Sequence, residues 1–168
     1  KSNLYLNKIM KKLLILLLLP IFSFGQVNTF PWTNDFESFI TLQEDPNDNG
    51  NWALKQGSTS SVNTGPSGDH TTGNGIYYYV ESSYPGYPNQ VFKTYTPTFD
   101  VSATPGKVLS FWYHMYGNAM GDLEIAVISG GVYTPIDTIS GNQGDQWYFA
   151  YYPIAAVDSF KIAFKATT

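Results

Sequence analysis

The 168-residue chain is predicted to be all-β: a sandwich of two antiparallel sheets, formed by a single domain. Three observations lead there. No sustained helical period follows residue 26, and short apolar or alternating runs recur instead, separated by Gly, Pro, Asn, Asp and Ser. Aromatic residues make up 17% and apolar residues 43% of the chain, so a packed core can form. Charged residues are only 13%, about half the usual quarter.

The strands are expected, in order, at 36–40 (FESFI), 52–56 (WALKQ), 76–81 (IYYYVE) and 91–95 (VFKTY), then at 108–116 (VLSFWYHMY) and 123–129 (LEIAVIS), and last at 133–139 (YTPIDTI), 146–152 (QWYFAYY) and 160–166 (FKIAFKA). Several alternate cleanly. Leu109, Phe111, Tyr113 and Met115 fall on one face of their strand, with Ser110, Trp112 and His114 on the other. Leu123, Ile125 and Val127 oppose Asp122, Glu124 and Ala126, and Phe160, Ile162 and Phe164 oppose Lys161 and Lys165. One face on a core and one on solvent is the antiparallel pattern. Turn chemistry separates the runs at 45–50 (DPNDNG), 64–69 (TGPSGD), 73–75 (GNG), 84–88 (YPGYP) and 129–131 (SGG). The Gly130-Gly131 pair is a two-residue hairpin turn.

Ahead of this pattern, Met10-Lys11-Lys12 precedes an unbroken apolar run from Leu13 to Ile21 that gives way to Ser23, Gly25 and Gln26. A charged start, a dozen apolar residues and a small polar exit predict a secretory signal at 10–25, cut near Gly25-Gln26. The run falls short of the roughly 20 apolar residues a membrane span needs, and Pro20 sits inside it. Residues 1–9 read as upstream translation, leaving 26–168 as the exported domain.

All nine basic residues are Lys, and four of them precede residue 13, whereas all 13 acids follow residue 34. The exported part thus has five lysines against thirteen acids, a formal charge of −8. Such a balance argues against a nucleic-acid partner. The absence of Cys excludes disulfides, thiol nucleophiles and cysteine-held metal centres, and two His are too few for a zinc enzyme.

The order and spacing of several motifs carry a family resemblance: DFES at 35–38, Trp52, TGP at 64–66 with DHT at 69–71, GIYYYVE at 75–81, LSFWYHMYG at 109–117 followed by MGDL at 120–123, GNQG at 141–144 before Trp147, and FKIAF at 160–164. In these the chain resembles a MAM domain, the extracellular module named for meprin, a neuronal surface antigen and receptor phosphatase mu. The resemblance implies a jelly-roll β-sandwich of the concanavalin A-like lectin and glucanase architecture. It also implies adhesion or protein–protein contact at the cell surface, often beside a catalytic domain such as a metalloprotease. Two departures stand out. The paired cysteines usual in animal members are missing, and so is the Gly- and Asp-rich final strand, so the sequence is expected to be part of a longer, multidomain product.

Candidate functional residues follow from chemistry. In a strand, Asp35 and Glu37 leave the same face, and an Asp69 loop folded over it would bring three hard oxygen ligands together, a set suited to Ca²⁺. Resemblance supports a structural calcium there, since some MAM domains hold one near the corresponding acids. The bland alternative is an acidic patch with local turn hydrogen bonds. The 45–50 loop echoes a calcium-binding opening, but Gln56 stands at its twelfth position and turn formation explains it better. His114 has no Ser or carboxylate partner near it in sequence, and His70, between Asp69 and Thr71 in a Gly-rich loop, suits the fixing of loop geometry; both are read as structural. Asp122 and Glu124 lack the third acid of a glucanase-type site, so the segment is expected not to be an enzyme. Surplus aromatics nominate Tyr78, Tyr84, Tyr87 and Tyr152 as contact residues for an extracellular protein or a glycan. The expected function is a secreted or cell-surface binding module. The alternative is a carbohydrate-binding or accessory module of a secreted hydrolase, which requires a contiguous aromatic platform.

Overall fold

The computed structural model describes residues 26–39, 41–84, 88–155 and 157–168. The proposed signal segment, Ile40 and Tyr87 lie outside them. Among the described residues there are ten strands and no helix: β1 Gln43–Glu44, β2 Ala53–Gln56, β3 Ile76–Tyr79, β4 Val91–Tyr95, β5 Phe99–Asp100, β6 Lys107–Tyr113, β7 Asp122–Ser129, β8 Val132–Ser140, β9 Tyr148–Ile154 and β10 Ser159–Thr167. Every strand pair is antiparallel.

One layer is a sheet in the order β1-β4-β10-β7-β8, with β5 also paired to β10; strands distant in sequence are neighbours, as jelly-roll crossovers require. The other layer consists of two ribbons, β2-β3 and β6-β9. Alternation in β10 turns Phe160, Ile162 and Phe164 onto the core and leaves Lys161 and Lys165 on the outside. Ile125 and Ile162, at 0% and 1% exposure, are its most enclosed large side chains. Each contributes about 1.5–3 kcal/mol by leaving water. Thr96, also buried, completes the end of β4: its hydroxyl accepts from the Ile162 amide at 2.9 Å.

Between β3 and β6, which do not pair, lies an apolar cleft of about 880 Å³. Its lining includes Tyr78, Leu109, Phe111, Ile162 and Phe164.

The structure departs from the sequence expectation in particular places. Within the run expected at 36–40, the described residues 36–39 do not form a strand: Phe36 and Phe39 have φ of 63° and 58°, outside extended backbone. The side chains of Asn34 and Asp35 accept from the amides of Phe36 and Glu37, two residues on, and so turn the chain there. β1 and β5 were not expected, being two residues each. In β7 the alternation breaks at a bulge after Ile125, where Ile136 of β8 is left without a partner, and Ala126 is buried as well. The Gly130-Gly131 turn forms as expected, with φ of 56° and 79°, joining Ser129 to Val132.

Candidate site: an aromatic face held by an acidic clasp

In β6 and β9 the alternation places Val108, Ser110 and Trp112 beside Pro153, Tyr151 and Phe149 on the outward face of the ribbon. Trp112, Phe149 and Tyr151 are 45%, 55% and 58% exposed, large values for rings of this size. Trp112 and Phe149 touch, with centroids 5.1 Å apart. His70 extends the row by stacking on Trp112 at 3.6 Å and 14°. His70, Trp112 and Phe149 thus form a continuous aromatic surface, and Tyr151 lies two residues along β9 from Phe149 on the same face.

His70 owes its position to the loop that carries it. Asp69 Oδ2 accepts from the amides of Thr71 and Thr72 at 2.9 Å each, and Oδ1 accepts from the Thr72 hydroxyl at 2.8 Å and the Gly75 amide at 2.6 Å. Burial raises the Asp69 pKa, but these donors outweigh it and hold the carboxyl at about 2. Glu37 Oε1 accepts from the next amide, Ile76, at 2.7 Å. A Cβ on Gly75 would lie 2.2 Å from Glu37 Oε1 and 3.1 Å from Asp69 Oδ1, so a larger residue there displaces the Glu37 carboxylate. Gly68 is the stricter position, since its Cβ would meet the backbone carbonyl oxygen of Gly73 at 2.1 Å. The Trp147 indole closes the loop from below by donating to the Gly68 carbonyl at 3.3 Å.

Of the three acids nominated as calcium ligands, Glu37 and Asp69 meet, while Asp35 turns its Oδ1 back to the Glu37 amide at 3.1 Å. Calcium takes about six to eight oxygens. Among the described residues no three acidic or His side chains gather closely enough to hold a metal. The pair as built faces backbone donors, so its geometry fits a loop clasp and does not fit a three-acid cage. The 45–50 loop is likewise a turn: Asp45 and Asp48 each accept from an amide two residues on, and Asp45 also binds the Tyr95 phenol at 2.7 Å.

The nominated tyrosines are scattered. Tyr78 stacks between Phe36 and Trp52, at 5.2 and 5.6 Å, with its phenol donating to Glu44; burial first and then that carboxylate raise its pKa. Tyr152 packs against the core, and its phenol donates to Asp137 at 2.6 Å. Tyr84 is 83% exposed. Tyr87 lies outside the described residues. The face instead uses Trp112, Phe149 and Tyr151, which were not nominated. The alternation of 108–116 put Trp112 opposite the core residues, so that signal was present. In 146–152 both faces are aromatic, and alternation alone could not tell Tyr151 from Tyr152.

His114 is 3% exposed, with Nε2 3.3 Å from Asp145 and its ring edge-on to Trp147 at 5.4 Å. Burial lowers its pKa, against the pull of Asp145. Its Nδ1 is buried without a hydrogen-bond partner, and no hydrogen bond joins it to a nucleophile, so the general-base geometry is not met. Asp122 and Glu124 are no pair either: Glu124 takes the Tyr133 phenol at 2.6 Å and Lys165 at 3.4 Å.

Comparison with known proteins gives a consistent answer. Residues 33–168 match the family model described as MAM domain, meprin/A5/mu. MAM domain-containing glycosylphosphatidylinositol anchor protein 1 of Homo sapiens is 35% identical over 137 residues, covering 77% of this chain and 14% of the relative. MAM domain-containing glycosylphosphatidylinositol anchor protein 2 of Mus musculus is 27% identical over 173 residues, covering 88% and 18%. Neuropilin-1a of Danio rerio is 32% identical over 123 residues, covering 70% and 13%. The chain therefore spans less than a fifth of the length of these curated relatives.

Proposed function

The chain belongs to the MAM domain family, and from that premise we propose that it is an exported, non-catalytic binding module that works by adhesion at or outside the cell surface. The observation that carries this reading is the exposed aromatic face of Trp112, Phe149 and Tyr151, preorganised by the loop that stacks His70 on Trp112. Exposed, contiguous apolar surface of this kind marks interaction sites. Large rigid rings contribute contact area at low entropic cost. The secretory signal at 10–25 delivers the domain outward, and relatives carrying a glycosylphosphatidylinositol anchor in their names support a surface location. The acids Glu37 and Asp69 serve to hold the loop.

The test is adhesion to arrays of extracellular-matrix proteins and of polysaccharides, comparing the protein with its Trp112→Ala/Tyr151→Ala double variant. Binding by the unaltered protein that drops at least about tenfold in the variant is expected, as for a hot-spot aromatic pair. Equal binding by both would place the contact elsewhere and end the proposal.

A further inference from the structure

The two outer faces of the sandwich differ in kind. On the large sheet, rings are tied to charges: Tyr95 to Asp45, Tyr133 to Glu124, and Lys161 over the Tyr95 ring at 4.3 Å. Lys93 and Lys165 pair there with Asp45 and Glu124. On the β6–β9 ribbon the six outward residues, Val108, Ser110, Trp112, Phe149, Tyr151 and Pro153, include no charged side chain. A polyanion, a charged headgroup or an ionic protein patch finds no complement there.

Size narrows the partner further. Val108 to Trp112 extends about 14 Å at about 3.4 Å per residue, and the two strands lie about 4.8 Å apart. A stable protein interface takes roughly 800 Å² and 20–30 residues from each side, far more than two half-strands offer. A narrow, uncharged row of rings instead matches a short run of linked sugar rings. The C–H face of a pyranose is apolar and carries partial positive charge, so it meets the negative face of an aromatic ring favourably. Sugar hydroxyls then need neutral hydrogen-bonding groups at the rim. Ser110 lies between Val108 and Trp112 on this face, and Tyr151, its cross-strand partner, is exposed and carries a phenol.

Accepting the adhesive reading of this face, we infer that the outward side of the β6–β9 ribbon is a glycan-binding platform for a neutral polysaccharide chain, with the cross-strand pair Trp112 and Phe149 under one sugar ring and Tyr151, the next outward residue along β9, under its neighbour. His70 braces Trp112 from the loop side, so the ring is fixed before the glycan arrives. The chain lies along the ribbon, and binding depends little on salt because no ion pair forms.

The experiment titrates the purified protein with hexasaccharides of neutral β-glucan, xylan and mannan by calorimetry, and runs it in gels containing the parent polysaccharides. A sulfated glycan serves as the charged control. Expected is saturable binding to at least one neutral glycan, unchanged between low and high salt. It should weaken at least about tenfold in Trp112→Ala and in Tyr151→Ala. Tyr151 is exposed, so its variant retains the fold and keeps the comparison valid even where Trp112→Ala does not. No binding to any neutral glycan, binding confined to the sulfated one, or binding indifferent to both variants overturns the inference. If the double variant loses adhesion to an array protein while no glycan binds, the glycan assignment falls and the adhesive reading stands. If neither protein nor glycan adhesion responds to the variants, both fall.

Discussion

Asp69 shows how one carboxylate can order a loop: it accepts three amides and a hydroxyl, and through them sets where His70 sits. Its low pKa means that this contribution is fully present above its ordinary value of 3.8 and is lost as pH falls toward about 2. His114 acts in a higher window. Burial lowers its pKa, so below the ordinary value of 6.5 the unfolded chain takes up the proton more readily than the folded one. Stability contributed by neutral His114 is therefore present above pH 6.5 and is lost as pH falls below it. Thermal melting between pH 7 and pH 5 should show a falling midpoint, and His114→Gln should flatten that fall. A parallel decline in the variant would assign the titration to another group. Of these two residues, sequence reading placed His114 in mid-strand and Asp69 in a loop. It could not foresee the hydrogen bonds, because they depend on Gly68 and Gly75 bringing distant backbone within reach.

At the level of the strand, β8 is the exposed edge of the large sheet: nine residues long, paired only with β7, and open to solvent along nearly its whole length. Such an edge invites pairing with another chain unless something blunts it. Pro135 removes one amide, Asp137 adds charge, and the bulge beside them skews the edge. Pro135→Val is expected to leave the fold intact and to raise aggregation, seen as increased light scattering on mild heating. A variant as soluble as the parent would show that the edge is protected by other means. Most strands could be read from the sequence because their alternation is long and one-sided, as in β6, β7 and β10. The failures are local. Asn34 and Asp35 divert the chain at Phe36 and Glu37 by side-chain hydrogen bonds that compete with extended backbone. Strands as short as β1 and β5 carry no period to detect, and they exist only because β4 and β10 offer edges to them.

Across the whole molecule, the two layers divide labour. The large sheet supplies the core through Ile125, Phe160 and Ile162, and faces solvent with charge-tied side chains. The β6–β9 ribbon turns its alternate residues inward onto that core and presents uncharged rings outward. Family membership was legible from the order of motifs. The position of the outward aromatic face was not, because it needs the pairing of Trp112 with Phe149 across strands separated by β7 and β8 in sequence. The central claim is that this outward face makes the contact. Covalent footprinting of exposed aromatic side chains, performed with and without a bound partner, tests it most directly. Protection concentrated on Trp112, Phe149 and Tyr151, with Tyr84 and Tyr133 labelled as before, is the predicted result; protection at Tyr84 or Tyr133 with the ribbon still fully labelled would contradict it.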